Sequence, residues 1–175
     1  IDWLKFNNYN FEIKDYNFSD CAFGYRDSIF KRKLNIIWEA VIRGVTCDKN
    51  ILKETSQAII SKRISSQPYD LPNAGSIFKN PTLEEFDFTK INPAELFVVE
   101  NKGQKQVPAG WLIDQCGLKG YSINGAKVSE KHANFIVNFD HAKSIDIHNL
   151  VNFVKDKVFD KFKISLVEEI QMIGF

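Results

Sequence analysis

The chain has 175 residues, of which 44% are hydrophobic and 26% charged, and its formal net charge is +1. This balance is typical of a globular protein, and it predicts no general attraction to nucleic acids or to membrane surfaces. No apolar run approaches the roughly 20 residues of a membrane-spanning helix, and the first residues lack the pattern of a signal peptide, so we expect a cytoplasmic protein.

The first part of the chain predicts a hairpin, a strand and a helix. Aromatic-rich runs in residues 1–14 are divided by Asn7-Asn8, which predicts two strands and a turn. Apolar residues alternate at period two from Leu34 to Val45, which predicts a strand. Asp48 is a suitable N-cap for an amphipathic helix that should end by Ser65-Ser66.

The middle of the chain predicts irregular structure and then a short helix. Three prolines and a glycine interrupt residues 65–81, so we expect no regular structure there. Residues 82–106 carry no clear pattern. Pro108 suits the first turn of a helix that ends at Gly117.

The last part predicts a turn, a strand, a helix and a final strand. Asn124-Gly125 is a turn signal, and residues 134–138 predict a short strand. Ser144 is expected to cap a helix, and residues 164–173 to form the last strand. The mixed order of strands and helices favours an α+β fold. The apolar stripe of the predicted helix consists of Ile147, Leu150, Val151, Val154 and Val158.

The segment from residue 71 to 81 has the composition of a binding loop. Gly75 lets a ligand approach the backbone closely, and Ser76 follows it. A serine can relay a proton only when a neighbouring group shares that proton. Lys79 and Asn80 are natural partners for phosphates or hydroxyls. A loop stabilised by its own serine and asparagine side chains is an equally good interpretation.

Other polar residues have simpler alternatives. Arg26, between Tyr25 and Asp27, is suited to clamp a carboxylate or phosphate, although an ordinary salt bridge explains it as well. Lys119 follows a predicted helix end and is suited to its last carbonyls. His132 has no second histidine or cysteine at metal-ligand spacing, so we expect no metal site. The three cysteines are widely separated, and we expect reduced, mostly buried thiols.

Two adjacent glutamates lie in the predicted last strand. Successive side chains of a strand point to opposite faces, so Glu168 shares a face with Leu166 and Ile170, and Glu169 with Val167. A carboxylate on the occluded face would have a perturbed protonation equilibrium, which makes it a functional candidate. Parity alone selects Glu168.

Five blocks of sequence occur in an order that resembles a known family. They cover residues 23–31, 73–81, 108–120, 128–138 and 166–174. Together they resemble the UDP-N-acetylenolpyruvoylglucosamine reductases, flavoenzymes of bacterial peptidoglycan precursor synthesis. The resemblance implies that NADPH reduces a bound FAD, which then reduces UDP-N-acetylglucosamine enolpyruvate to UDP-N-acetylmuramate.

The resemblance also implies a domain organisation. Residues 1–64 would be the end of the FAD-binding region. Residues 65–175 would be an α+β substrate-binding domain with a mostly antiparallel sheet and flanking helices. The short spacing between Phe30 and Ser76 resembles the subgroup that has no tyrosine-bearing loop over the substrate.

The resemblance assigns three catalytic residues. Ser76 matches the serine that donates the proton. Arg26 and Glu169 match the pair that stabilises the enol-type intermediate at the substrate carboxylate, where negative charge grows during hydride addition. The glutamate has to carry or share a proton to assist. Strand alternation alone favours Glu168, but the resemblance assigns the catalytic role to Glu169.

Further residues are assigned to the substrate. Ser66 stands where many relatives have a lysine that reaches the diphosphate, and Lys62 or Lys79 is the candidate to replace it. His132 stands near the uridine, where some relatives have glutamine. The expected substrate-binding residues are Tyr25, Arg63, Gly75, Lys79, Asn80, Lys119 and His132.

The glycine-rich segments that cradle the FAD diphosphate in this family have no counterpart in residues 1–175. The chain also begins at Ile1 rather than at methionine. We therefore expect a piece of a longer protein that lacks the N-terminal FAD-binding domain, and an isolated chain that is colourless and inactive. A non-enzymatic UDP-sugar-binding module and another member of the wider FAD-linked oxidase group are the alternatives.

Overall fold

The computed structural model describes residues 13–32 and 36–174. The chain forms two compact units, Ile1–Val45 and Thr46–Phe175. The division expected between residues 64 and 65 concerns function, and it stays a prediction.

The described part of the first unit contains one helix, α1, at Ile29–Arg32. Just before it, Gly24 and Asp27 form an isolated antiparallel bridge. Cys21 is the buried cysteine of this unit. The hairpin predicted for residues 1–14 lies almost wholly outside the described residues.

The strand predicted from Leu34 to Val45 is absent from its described part, residues 36–45, which is irregular and exposed. Alternating apolar residues favour a strand, but a strand also needs a neighbour for its backbone hydrogen bonds. No strand in the described part of the chain pairs with these residues, so the prediction is wrong there. Cys47, in the same irregular stretch, is exposed, which corrects the expectation of mostly buried thiols.

Two of the three helices in the second unit begin where the sequence predicts. The carboxylate of Asp48 accepts hydrogen bonds from the backbone N–H groups of Asn50 and Ile51, at 2.8 and 3.2 Å, which confirms it as an N-cap. The helix after Pro108 is also confirmed, and Gly117 follows its end with φ +69°. The helices are α2 at Lys49–Ser66, α3 at Ala109–Gln115 and α4 at Ser144–Phe162.

The cap predicted for α4 is wrong. Ser144 is the first helical residue, and Lys143 occupies the N-cap position. The buried carboxylate of Asp146 instead accepts a hydrogen bond from the Lys143 backbone N–H at 2.8 Å. Its other oxygen accepts one from the Asn124 side chain at 2.7 Å, so the helix start is tied to a distant turn. An acid in the first turn also favours the positive end of the helix dipole.

The strands of the second unit form a sheet and a separate hairpin. The sheet is antiparallel throughout, in the order β1-β6-β5-β4, and the hairpin joins β2 to β3. The Asn124-Gly125 turn and the strand of residues 134–138 are thereby confirmed. The strands are β1 at Asn73–Ser76, β2 at Val99–Asn101, β3 at Gln104–Gln106, β4 at Ser122–Ile123, β5 at Ala126–Val128 and β6 at Phe135–Asn138.

The main core lies between the sheet and helices α3 and α4. The predicted apolar stripe of α4 is confirmed, since four of its five residues are at most 1% exposed and Ile147 packs against them. Burial of each such side chain contributes about 2 kcal/mol, before the entropy of ordering the chain is subtracted. The α+β class with an antiparallel sheet and flanking helices is therefore confirmed. The four fully buried residues are Leu150, Val151, Val154 and Val158.

Candidate functional site

Ser76 ends a strand that the sequence did not predict. Residues 65–81 were expected to be irregular, but β1 forms within them and pairs with β6, where Ser76 lies opposite Phe135. The register shifts between Asn73 and Ser76, and Gly75 between them has a φ of +82°, a left-handed conformation that glycine adopts without strain. A local bulge can thus place the half-buried Ser76 side chain at the sheet edge in one orientation.

The backbone just after Ser76 is held by Asn134. The side chain of Asn134 accepts a hydrogen bond from the Phe78 N–H at 3.0 Å and donates one to the Phe78 carbonyl at 2.8 Å. Its own carbonyl accepts from the N–H of Ile77 at 2.9 Å. Asn134 is 4% exposed, and both the oxygen and the nitrogen of its buried amide have a hydrogen-bond partner. The only local signal for this role is a polar residue at the start of a predicted strand.

The C-terminal segment pairs with the other edge of the same loop. The N–H of Glu169 donates to the carbonyl of Ile77 at 2.7 Å, and the N–H of Lys79 donates to the carbonyl of Val167 at 2.9 Å. Phe78 and Glu168 form a single antiparallel bridge. The long strand expected at residues 164–173 is therefore wrong, although its pairing is present at one point. Two residues expected to be catalytic, Ser76 and Glu169, are brought to adjoining extended segments.

Glu168 and Glu169 are both half-buried, so burial does not separate them as the alternation of a strand predicted. Glu168 follows the buried Leu166 by two positions, and Glu169 follows the exposed Val167 by two positions. Glu168 forms an ion pair with Lys155 of α4, at 2.7 Å. Burial by itself would raise the pKa of the Glu168 carboxyl, but hydrogen bonds from Lys155 and from its own backbone, with the charges of Lys155 and His148, lower it below its ordinary value. Glu168 is therefore ionised and engaged in an ion pair.

Asn80 joins the loop to helix α3. Its side-chain oxygen accepts a hydrogen bond from the backbone N–H of Ala109, at 3.0 Å and 29 residues away in sequence. This bond satisfies one of the free donors at the start of the helix. The expected diphosphate contact is therefore left to the NH2 group of Asn80. Lys79, next to it, is half-buried.

His132 is wedged between α3 and β6. Its Nδ1 accepts a hydrogen bond from the backbone N–H of Asn134 at 3.2 Å, and its ring meets Phe135 edge-on at 4.9 Å. A Cβ placed on Gly110 of α3 would lie 3.1 Å from the imidazole, so the helix approaches closely. Burial lowers the pKa of His132, and the positive charge of Lys119 lowers it further, against a raising backbone hydrogen bond. The imidazole is accordingly neutral near pH 7 and has its Nε2 as donor.

Ser76 and His132 are both neighbours of Phe135. Phe135 is the cross-strand partner of Ser76, and its ring also meets His132. The two predicted site residues are therefore linked through one residue of β6.

Two other expected substrate residues lie on the exterior of the second unit. Lys119 forms an ion pair with Asp114 at 2.8 Å, and both side chains are partly exposed. Arg63 lies in the last turn of α2 and is exposed. Ser66, at the position of the missing lysine, donates its hydroxyl hydrogen bond to the Lys62 carbonyl at 2.8 Å.

Tyr25 and Arg26 belong to the first unit. Arg26 has a φ of +54°, and its guanidinium carbon lies 5.7 Å from the centroid of the Tyr25 ring. The adjacent Asp27 pairs with Arg32 of α1. Asp27 thus has Arg32 as its ion-pair partner, and the salt bridge considered for Arg26 stays a prediction.

Within residues 13–32 and 36–174, no group of three or more His, Cys, Asp and Glu side chains is arranged to hold a metal ion. Among the helices of that part of the chain, none has the length and apolar content required to cross a membrane.

Comparison with known proteins gives a consistent match. The sequence profile of the C-terminal domain of UDP-N-acetylenolpyruvoylglucosamine reductase matches residues 67–173. Proteins of that name from Acaryochloris marina, Thermotoga petrophila and Pasteurella multocida are 36%, 39% and 34% identical to the chain over 87%, 88% and 87% of its length. The chain spans only 42%, 46% and 52% of those relatives. The crystal structure of the Thermus caldophilus enzyme is 28% identical to the chain, with a TM-score of 0.45. The match covers 70% of this chain and 34% of the Thermus caldophilus chain.

Proposed function

Because the chain belongs to the UDP-N-acetylenolpyruvoylglucosamine reductase family, we propose that it binds UDP-N-acetylglucosamine enolpyruvate and takes part in its reduction to UDP-N-acetylmuramate. The carrying observation is the pairing of residues 77–79 with residues 167–169, which brings Ser76 and Glu169 to adjoining segments. This reaction belongs to peptidoglycan precursor synthesis, with its links to cell shape and division. We place it in the cytoplasm, without nucleic-acid or membrane partners.

Ser76 is the proposed proton donor. Its strand is fixed on one side by β6 and continues into a backbone held by Asn134, so a substrate carbon would meet a hydroxyl at a defined position. A positioned acid of this kind contributes about 10²–10⁴-fold to a rate. The serine must recover its proton from a neighbour, and the half-buried Lys79 and water are the candidates.

Glu169 and Arg26 are proposed to act at the substrate carboxylate. A guanidinium stabilises the negative charge that develops there, most strongly where water is excluded. Glu169 contributes by sharing a proton with the same oxygen atoms. The backbone N–H of Glu169 donates to the Ile77 carbonyl. This bond ties the segment that carries Glu169 to the loop that follows Ser76.

The remaining assignments concern the UDP portion. We propose that the NH2 of Asn80, with Lys79 and Lys119, contacts the diphosphate, and that the Nε2–H of His132 contacts the uridine. Positive and amide donors of this kind suit phosphate oxygens. Lys62 or Lys79 is proposed to replace the lysine absent at position 66. The further proposed contacts are Tyr25, Arg63 and Gly75.

FAD and NADPH are proposed as the source of the hydride. A flavin diphosphate is held by closely spaced glycines at the start of a helix. No two of the nine glycines stand two positions apart, as a Gly-x-Gly loop requires, and Gly75, which has a positive φ, lies in β1. The described residues therefore do not fit the flavin diphosphate. We propose that an N-terminal FAD-binding domain holds it, with residues 1–64 as the end of that region and residues 65–175 as the substrate domain.

The proposal is tested by substrate binding and by turnover. Calorimetry should detect binding of UDP-N-acetylglucosamine enolpyruvate to the 175-residue chain, and Lys119→Met should weaken it, while Lys90→Met should not. In the full-length protein, Ser76→Ala should leave flavin reduction by NADPH intact and lower substrate turnover by about 10²–10⁴-fold. Unchanged turnover would refute the proton-donor role. Binding without any turnover in the full-length protein would favour a UDP-sugar-binding module.

A further inference from the structure

The segment that carries Glu169 has few backbone contacts of its own. Its two described ladder bonds are those between residues 77–79 and 167–169, and no regular strand surrounds them. Ile164 and Leu166 anchor it in the core, at 5% and 2% exposed. After Ile170, residues 171–174 are exposed. A short extended segment of this kind can rotate about its own axis unless its side chains prevent it.

The ion pair of Glu168 lies where that rotation would occur. Lys155 extends from the middle of α4, next to the buried Val154, and its ammonium meets the Glu168 carboxylate at 2.7 Å. Both side chains are less than one-third exposed, at 31% and 28%. An ion pair with this degree of burial is screened less than one on the surface, and breaking it leaves a charge poorly solvated.

We propose that Lys155 and Glu168 are positioning residues that hold the Glu169 carboxylate towards the substrate. Successive side chains of an extended segment point to opposite sides. Fixing Glu168 against α4 therefore fixes Glu169 on the opposite side of the segment, away from that helix. This inference rests on the proposed function, since it assigns the benefit of the orientation to Glu169.

Hydrogen exchange of single amides tests the positioning directly in the 175-residue chain. In Lys155→Met, protection of the Glu169 and Lys79 amides should fall roughly tenfold, as expected for loss of a partly buried ion pair. The amide of Val128, which bonds to Tyr121 in the sheet, should keep its protection. Lys155→Arg should restore protection at Glu169 and Lys79. Lys157→Met, at an exposed lysine of the same helix, is the matched control.

Steady-state kinetics of the full-length protein tests whether this orientation of Glu169 serves the reaction. Lys155→Met should lower kcat with little change in KM, and Lys155→Arg should recover most of it. Unchanged protection at Glu169 in Lys155→Met, or protection lost equally at Val128, would overturn the positioning role. Failure of the wild-type protein to turn over UDP-N-acetylglucosamine enolpyruvate would instead overturn the proposed function, whatever the exchange result.

Discussion

The side-chain amide of Asn134 brackets the backbone of Phe78, accepting from its N–H at 3.0 Å and donating to its carbonyl at 2.8 Å. The two residues are 56 positions apart, and the pair is buried. The amide thus takes the place of a neighbouring strand for one residue. It fixes the loop that follows Ser76 before any ligand is present.

Replacing Asn134 should therefore destabilise the fold more than its size suggests. Asn134→Asp keeps the shape but sets a carboxylate oxygen against the Phe78 carbonyl, while Asn134→Ala leaves two buried backbone groups unpaired. Each variant should lose about 2–4 kcal/mol of unfolding free energy, measured by urea denaturation. Asn149→Ala, at an exposed position of α4, should lose less than about 0.5 kcal/mol. Equal small losses in all three would show that the bracket contributes little.

Gly125 should tolerate no side chain. A Cβ there would lie 2.0 Å from the carbonyl oxygen of Asp140 and 2.5 Å from the backbone nitrogen of Ala142. Both are backbone atoms, so the β4–β5 turn itself must move, and Gly125→Ala should cost at least about 3 kcal/mol of unfolding free energy.

Gly75→Ala provides the contrast for this prediction. A Cβ at Gly75 meets no described heavy atom within 4 Å, and only its φ of +82° opposes the substitution. Its cost in thermal denaturation should be about 1 kcal/mol. A loss at Gly75 as large as that at Gly125 would contradict the steric explanation.

The local signals in the sequence predicted much of the second unit. The cap at Asp48, the Asn124-Gly125 turn and the apolar stripe of α4 each depend on neighbouring residues, and each is confirmed. The strand expected near Ile36 failed because strand formation depends on a partner that periodicity does not reveal. The prediction of irregular structure at residues 73–76 was wrong for the opposite reason, because β6 supplies a partner to a stretch with little intrinsic strand preference.

The site was predicted unevenly for the same reason. Alternation along the chain predicted different environments for Glu168 and Glu169, but both side chains are half-buried, because the alternation of residues 164–167 does not continue to them. The bond from Asn80 to Ala109 and the pairing of Lys155 with Glu168 join residues that are distant in sequence or lie on different elements. Such contacts follow from the fold, and no local pattern predicts them.

Stability should depend on pH through His132. Its pKa in the folded chain is below the ordinary value of 6.5, chiefly because of burial, so folding favours the neutral imidazole. The unfolded chain binds the extra proton first as the pH falls through 6.5, and stability contributed by neutral His132 is then lost progressively down to the folded pKa. Urea denaturation should show this decline from pH 7 towards pH 5 (roughly the range in which a histidine titrates).

His132→Gln is the test of that assignment. Glutamine can accept from the Asn134 N–H but does not titrate, so the variant should show a shallower decline over the same pH range. His141→Gln, at an exposed position, should retain the wild-type slope. An unchanged slope in His132→Gln would assign the effect to another group.

Asn80 combines a structural and a proposed binding role that two substitutions can separate. Its oxygen caps α3 through the Ala109 N–H, and its NH2 is the part assigned to the diphosphate. Asn80→Asp retains an oxygen for the cap and should keep the unfolding free energy within about 0.5 kcal/mol, whereas Asn80→Ala should lose about 1 kcal/mol. Both should weaken binding of UDP-N-acetylglucosamine enolpyruvate in calorimetry, and Asn80→Asp more so, because its charge repels the diphosphate. If Asn80→Asp bound the substrate as tightly as the wild type does, Asn80 would be a helix cap alone.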